Sequence, residues 1–285
     1  IIMRKVLITG ANSGFGYLTT LLFARRGDYV YATARNMQSE GVMKINEIKE
    51  KEDLKIEWLQ LDITNEKQVS DVSKYVIENG LDILVNNAGY GEIGPIELID
   101  MDRVRKQFET NFFGTLNLTK SLIPYFREKR EGKIITVASI AGRVSSPIYG
   151  VYAASKFAVE GLFESLRSEL YRFNVKVSMV EPGAFHTSFG DGLEEKLKEE
   201  LSSSPYNEWY KRQEGNRELW STSSDKQILK WLRNPQRVAN KIYSVSLKKN
   251  PALRYTVGYD AVIISLIKKI LPDRLYVYLV NNLMG

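Results

Sequence analysis

Cysteine is missing from this 285-residue chain, and histidine occurs once, at His186. The first absence excludes disulfide staples, a thiol nucleophile and cysteine-ligated zinc. The second rules out a multi-histidine metal site, so no metal centre is expected, and it leaves a Ser-His-Asp triad only one possible base. Glycine and proline are not in excess, which argues against a disordered or fibrous chain. No apolar run approaches the roughly 20 residues of a membrane-spanning helix. Charge of one sign is scarce too: 40 Lys and Arg against 34 Asp and Glu leave +6, with no block of five like charges. A nucleic-acid surface is therefore not indicated, although a mildly positive cleft would suit a phosphorylated ligand. No basic, apolar leader precedes the first strand-like run, so a signal peptide is not expected and a cytoplasmic location is.

What is present is an α/β rhythm. Hydrophobic residues make up 44% of the chain, enough for one large domain over residues 1–285. Val6–Thr9, Tyr29–Thr33, Ile56–Leu61, Ile83–Val85, Lys133–Ala138, Val175–Val180 and, more weakly, Arg254–Val257 read as strands. Several are apolar at consecutive positions, as parallel strands covered on both faces must be. Gly14–Arg26, Gln38–Lys51, Glu66–Asn79, Asp102–Lys129 and Tyr152–Phe173 read as helices. This alternation predicts a doubly wound parallel sheet of Rossmann type, with about seven strands and helices on both faces. Gly27 after Arg25-Arg26 marks a helix end, Thr64 before Glu66 is a candidate helix cap, and Pro124 is expected to kink the fourth helix.

After Ala184 the rhythm changes. Residues 184–235 carry charged helical turns and a cluster of Tyr206, Trp209, Tyr210, Trp220 and Trp231. They read equally as a surface helix pair with its own small core or as a lid whose aromatics line an apolar substrate pocket. The apolar tail at 260–285 is expected to pack on the body or on a second subunit, with interfacial membrane contact the minority reading.

Chemistry begins at Thr9-Gly10-Ala11-Asn12-Ser13-Gly14-Phe15-Gly16, which follows an apolar strand and opens a helix. That context is what a dinucleotide site requires. Gly10 permits the tight turn, Gly14 lets the backbone approach a pyrophosphate, and Gly16 allows close helix packing. Free N–H groups at the helix start then meet phosphate charge. Cofactor contacts are expected from Gly10, Ser13, Gly14, Phe15 and Gly16. The second strand ends Tyr31-Ala32-Thr33-Ala34-Arg35-Asn36, without the carboxylate that would bond the ribose hydroxyls of NAD. Arg35 would instead pair with a 2′-phosphate, which favours NADP(H) over NAD(H).

Tyr152 and Lys156 stand at i and i+4, on one face of a helix. A lysine ammonium near a phenol favours phenolate and lowers its pKa from about 10, so Tyr152 could exchange a proton near neutral pH. Ser139 lies just past the fifth strand, where its hydroxyl could hold a substrate oxygen.

Together these residues resemble the short-chain dehydrogenase/reductase family in its single-domain form. Four motifs carry the resemblance in order: Thr9–Gly16; Asn86-Asn87-Ala88-Gly89 after the fourth strand; Ser139 with Tyr152 and Lys156; and Pro182-Gly183 after the sixth strand. The resemblance covers about Val6 to Gly183. It implies hydride transfer between a nicotinamide and a carbonyl or alcohol, with Tyr152 as proton donor, Ser139 holding the oxygen, and Lys156 tuning the phenol and binding the nicotinamide ribose. Asn111 is implied to hold a water in the proton relay and Asp62 to touch the adenine edge. Asn86, Asn87 and Gly89 are implied to brace the sheet and border the cofactor. Pro182, Gly183 and Thr187 are implied on the nicotinamide side. His186 reads as a substrate-loop or packing residue. Ser13 departs from the pattern of NADP-preferring members, which often place a basic residue there, so Arg35 carries the coenzyme assignment almost alone. The family further implies apolar ketone or aldehyde substrates and a homodimer or homotetramer formed through the long helices. A catalytically silent NADP(H) sensor or scaffold ranks below the enzyme because Tyr152 and Lys156 are both present. A sugar-nucleotide epimerase ranks lower still, since that group carries a longer C-terminal substrate domain.

Overall fold

The computed structural model describes residues 3–185, 195–208, 211 and 233–283. Among them, seven strands form one wholly parallel sheet: β1 (Lys5–Ile8), β2 (Tyr29–Ala34), β3 (Ile56–Gln60), β4 (Ile83–Asn86), β5 (Gly132–Val137), β6 (Val175–Pro182) and β7 (Arg254–Val257). Their order is β3-β2-β1-β4-β5-β6-β7. The helices are α1 (Gly14–Arg25), α2 (Glu40–Glu52), α3 (Glu66–Asn79), α4 (Met101–Phe108), α5 (Thr115–Lys129), α6 (Gly150–Leu170), α7 (Glu195–Ser203), α8 (Gln236–Leu247), α9 (Tyr259–Ile270) and α10 (Asp273–Leu283). None of the described helices is long and apolar enough to cross a membrane.

The consecutive apolar residues of the strands serve two cores. Leu7, Ile134, Val177 and Met179 point to the face covered by α3, α5 and α6, where Val69, Leu122 and Phe163 meet them. Val6, Ile8, Ile135 and Val180 point to the other, against Phe23 of α1, Ile45 of α2 and Ile242 of α8. Alternate side chains of a strand leave opposite faces, so a strand buried on both sides must be apolar throughout. Strand order reverses between β1 and β4, the switch point beyond whose carboxyl ends sheets of this type bind their ligands. The glycine turn, Asn87–Gly89, Ser139 and Pro182-Gly183 all lie at that edge of the sheet.

Two local expectations are corrected. The helix expected over 102–129 is interrupted at Glu109–Gly114, where the chain widens into a π-helical turn, and not at Pro124, which lies inside α5. The wide turn lets Asn111 face inward and brings the backbone at Gly114 against Ile63; a Cβ at Gly114 would meet the Ile63 side chain at 2.8 Å. The cap of α3 is Asn65, whose side chain accepts from the Gln68 N–H. Thr64 is diverted because its hydroxyl already donates to Asp62, at 2.8 Å.

Of the 184–235 segment, residues 186–194, 209, 210 and 212–232 lie outside the described residues, and with them His186, Thr187, Trp209, Tyr210, Trp220 and Trp231. In the described part, Leu201 of α7 is buried and the Tyr206 hydroxyl donates to Glu97 at 2.7 Å.

Candidate active site

The glycine turn is clamped from both sides. Gly10 has φ +62°, a conformation that favours glycine. Gly16 sits so close beneath it that a Cβ would collide with the Gly10 carbonyl oxygen and lie 2.5 Å from Asn87 Nδ2. Asn87 Nδ2 donates to the carbonyls of Thr9 (2.8 Å) and Gly10 (3.2 Å). In return, Thr9 Oγ1 accepts from the backbone N–H groups of Asn87 and Ala88. The two loops at the switch point are thus one unit. Ser13 is the N-cap of α1 in extended conformation, its side chain caps nothing, and no acidic residue stands in the first turn. The helix start therefore keeps its N–H groups and positive dipole end free for an anion. Phe15 packs edge-on against Phe185, ring centres 5.8 Å apart, tying the turn to the chain after β6.

At the end of β5, Ser139 caps a 3-10 turn at Ile140–Gly142, accepting from Ala141 N at 3.1 Å. Tyr152 projects from the first turns of α6 on the side of Ser139, whose hydroxyl favours the ionised phenol. Lys156, one turn on, donates from Nζ to the Val137 carbonyl at 3.1 Å and lies 5.9 Å from the centre of the Tyr152 ring. All three side chains are buried. Burial governs their protonation. It pushes the Tyr152 phenol up to about 12, opposed by the Ser139 hydroxyl, and pushes Lys156 down to about 8, opposed by Glu160. Removing the two groups from water penalises the charged form of each, which sets both directions.

Asn111 is brought to the same place by the π-helical turn. Its Oδ1 accepts from Tyr90 N (3.1 Å), while Nδ2 donates to the Tyr90 carbonyl (2.9 Å) and to Ser155 Oγ (3.1 Å). Gly89 lies between Asn111 and Lys156: a Cβ there would stand 3.0 Å from Asn111 Oδ1 and 3.8 Å from Lys156 Nζ. Asn86 points elsewhere. Its Nδ2 donates to Thr119 and Thr136 within the fold, so its side chain braces α5 against β5. Asp62 Oδ1 accepts from the backbone N–H and hydroxyl of Thr64, shaping the turn after β3. Arg35 is exposed at the end of β2. Gly183 donates to the Val257 carbonyl at 2.8 Å.

Sequence reasoning missed several partners. Gln107 bonds both Glu92 N and the Tyr90 carbonyl, and Arg103 pairs with Glu92, fixing the loop after Gly89. Asp260, at the start of α9, accepts from Ala184 N at 2.7 Å and packs against Gly183. Only Glu160 had a readable signal, one turn beyond Lys156.

Residues 4–198 match the short chain dehydrogenase family, and with the fold and site just described the chain belongs to that family of oxidoreductases. It is 37% identical over 282 residues to a 3-ketodihydrosphingosine reductase from Bacteroides thetaiotaomicron, spanning 96% of this chain and 95% of that one. Among solved structures it resembles a short-chain dehydrogenase from Streptomyces avermitilis, with TM-score 0.76, 28% identity and coverage of 98% and 96% of the two chains. A short chain dehydrogenase from Burkholderia cenocepacia in complex with NADP shares the fold, at TM-score 0.72, 23% identity and coverage of 97% and 96%.

Proposed function

We propose that the protein is an NADP(H)-dependent reductase of apolar ketones or aldehydes. The convergence of buried Ser139, Tyr152 and Lys156, with Lys156 Nζ 5.9 Å from the Tyr152 ring centre and bonded to the Val137 carbonyl, carries the reading. Gly10, Ser13, Gly14 and Gly16 would seat the pyrophosphate at the uncapped start of α1, and Arg35, with no carboxylate nearby in sequence, would take the 2′-phosphate. Asp62, Asn87 and Gly89 would line the adenine and ribose side, and Pro182, Gly183 and Thr187 the nicotinamide side. When bound, the coenzyme supplies the hydride that the substrate carbon accepts. Tyr152, a protonated phenol across the physiological range, donates its proton to the substrate oxygen. Ser139 donates a hydrogen bond to that oxygen, and the Lys156 charge favours the phenolate left behind. Asn111 holds the Tyr90 loop beside Lys156 and would anchor the proton route to solvent.

The apolar substrate class is supported by the Bacteroides relative, named for a ketone on a long hydrocarbon chain, and by the aromatic content of 184–235. Exposed Phe113 and Phe157 support self-association through the π-helical turn and α6. Exposed Ile263, Leu266, Ile270 and Leu275, beside exposed Lys269 and Arg274, support contact of the tail with an anionic membrane surface. Co-sedimentation with phosphatidylserine vesicles, with and without residues 260–285, tests that contact.

The decisive assay follows NADPH absorbance with a panel of long-chain 3-ketones, steroids, retinals and small polar sugars. Tyr152→Phe should cut turnover by about 10²–10⁴-fold with NADPH affinity nearly unchanged. Near-normal activity in that variant would refute the assignment, and a preference for sugars would refute the apolar pocket.

A further inference from the structure

Behind the site lies a buried charged cluster that the proposed reaction does not use. Glu160 stands one turn beyond Lys156 on α6, as Lys156 stands one turn beyond Tyr152, so the three share one stripe of the helix. Glu160 is buried, and its Oε2 accepts from Arg254 Nε at 2.8 Å. Arg254, on β7, reaches Glu164 with a second nitrogen at 2.7 Å and lies 3.5 Å from Oε1 of Glu181 on β6. Glu181 is fully buried; its Oε2 accepts from Thr256 Oγ1 at 2.8 Å and from Arg143 at 3.4 Å. Oε1 of both Glu160 and Glu181 lacks a hydrogen-bond partner among the described residues. Apolar replacements of buried charge clusters are often neutral or stabilising, so stability alone gives no reason for this one.

The cluster touches three pieces of the site. A Cβ at Gly142 would meet both Glu160 Cγ and the Lys156 carbonyl oxygen at 2.9 Å, so the turn begun by Ser139 rests directly on α6 at those two residues. Arg143 follows that turn and pairs with Glu181. Glu181 itself immediately precedes Pro182-Gly183. Arg254 joins the two glutamates.

Resting on the reductase reading above, we propose that Glu160, held by Arg254, is a positioning residue that keeps Lys156 in its charged, working form and seats the Ser139 turn on α6. The charged groups facing Glu160 are Lys156 and Glu164 on its own helix, Arg254 on β7, Glu181 on β6 and Arg143 after the Ser139 turn. A negative charge one turn away stabilises the ammonium against the burial that pushes it down to about 8. Burial pushes the Glu160 carboxyl up, and the Arg254 guanidinium bonded to it at 2.8 Å pulls the other way, favouring the ionised carboxylate.

The test is Glu160→Gln, of nearly equal shape, assayed beside wild type and Tyr152→Phe on one ketone. Its circular dichroism and its NADPH affinity at pH 7, read by fluorescence quenching, should stay within about threefold of wild type, while kcat at pH 9 falls by about tenfold. The alkaline limb of kcat/KM for NADPH should move to lower pH by about one unit. Glu160→Asp, which keeps the charge, should restore the limb. A merely structural role would lower kcat and Tm together with the limb in place, and that result, or wild-type kcat, overturns the proposal. An active Tyr152→Phe overturns instead the reading on which it rests. Should Glu160→Gln not fold, Arg254→Lys, which keeps the charge and loses the two-armed grip, carries the same readout: a displaced limb supports the proposal and an unmoved one overturns it.

Discussion

The Lys156 ammonium stands 5.9 Å from the centre of the Tyr152 ring, over the aromatic face, with its nitrogen anchored on the Val137 carbonyl. Charge and ring attract in that arrangement, but burial decides the protonation of each group separately. The phenol is held as a proton donor, and the lysine is brought to titrate near physiological pH.

That ordering predicts a pH profile. kcat/KM for NADPH reports ionisations of the free enzyme. With Tyr152 pushed up to about 12 and Lys156 down to about 8, the reductive rate should fall as pH rises through about 8, because the lysine loses its charge while the phenol keeps its proton. Initial rates from pH 6 to 10 check this, and a flat profile across that range contradicts it.

Stability should move the opposite way. The folded pKa of Lys156 lies below its ordinary value of 10.5. Its contribution is therefore fully present above about 10.5 and is lost as pH falls through about 8. Lys156→Met has no such loss. Relative to wild type, the variant should gain roughly 1–3 kcal/mol between pH 10 and pH 7. Urea melts at the two pH values measure the difference; no change in it would mean that the lysine is solvated.

Coenzyme choice should rest on Arg35. A charge-assisted hydrogen bond is worth about 1.5–3 kcal/mol, so Arg35→Ser should raise KM for NADPH by about 10- to 100-fold and leave KM for NADH nearly unchanged. Equal losses with both coenzymes would show that Arg35 does not read the 2′-phosphate.

Gly16→Ala should damage fold and binding together. The added methyl meets the Gly10 carbonyl and Asn87, neither of which can retreat without breaking the clamp between the two loops. A loss of about 1–3 kcal/mol in stability is expected alongside a weaker NADPH affinity, read by thermal melting and fluorescence titration. Unchanged affinity would place the phosphate seat elsewhere.

Local pattern carried a large part of this protein. Apolar residues on consecutive positions announce strands covered on both faces, and β7 and α3 fall where alternation and spacing put them. The glycine turn and the four-residue step from Tyr152 to Lys156 were equally legible, since both follow from backbone geometry over a single turn. What stayed hidden depends on residues far apart in the chain. Asn111 works through Tyr90, 21 positions away, and the π-helical turn that aims it has no local signature. Arg254 meets Glu160 across 94 positions, and Asp260 meets Ala184 across 76. The direction in which Tyr152 titrates was likewise settled only by folding: chain order puts a lysine one turn from a phenol, but how much water each keeps depends on what the sheet and helices close over them.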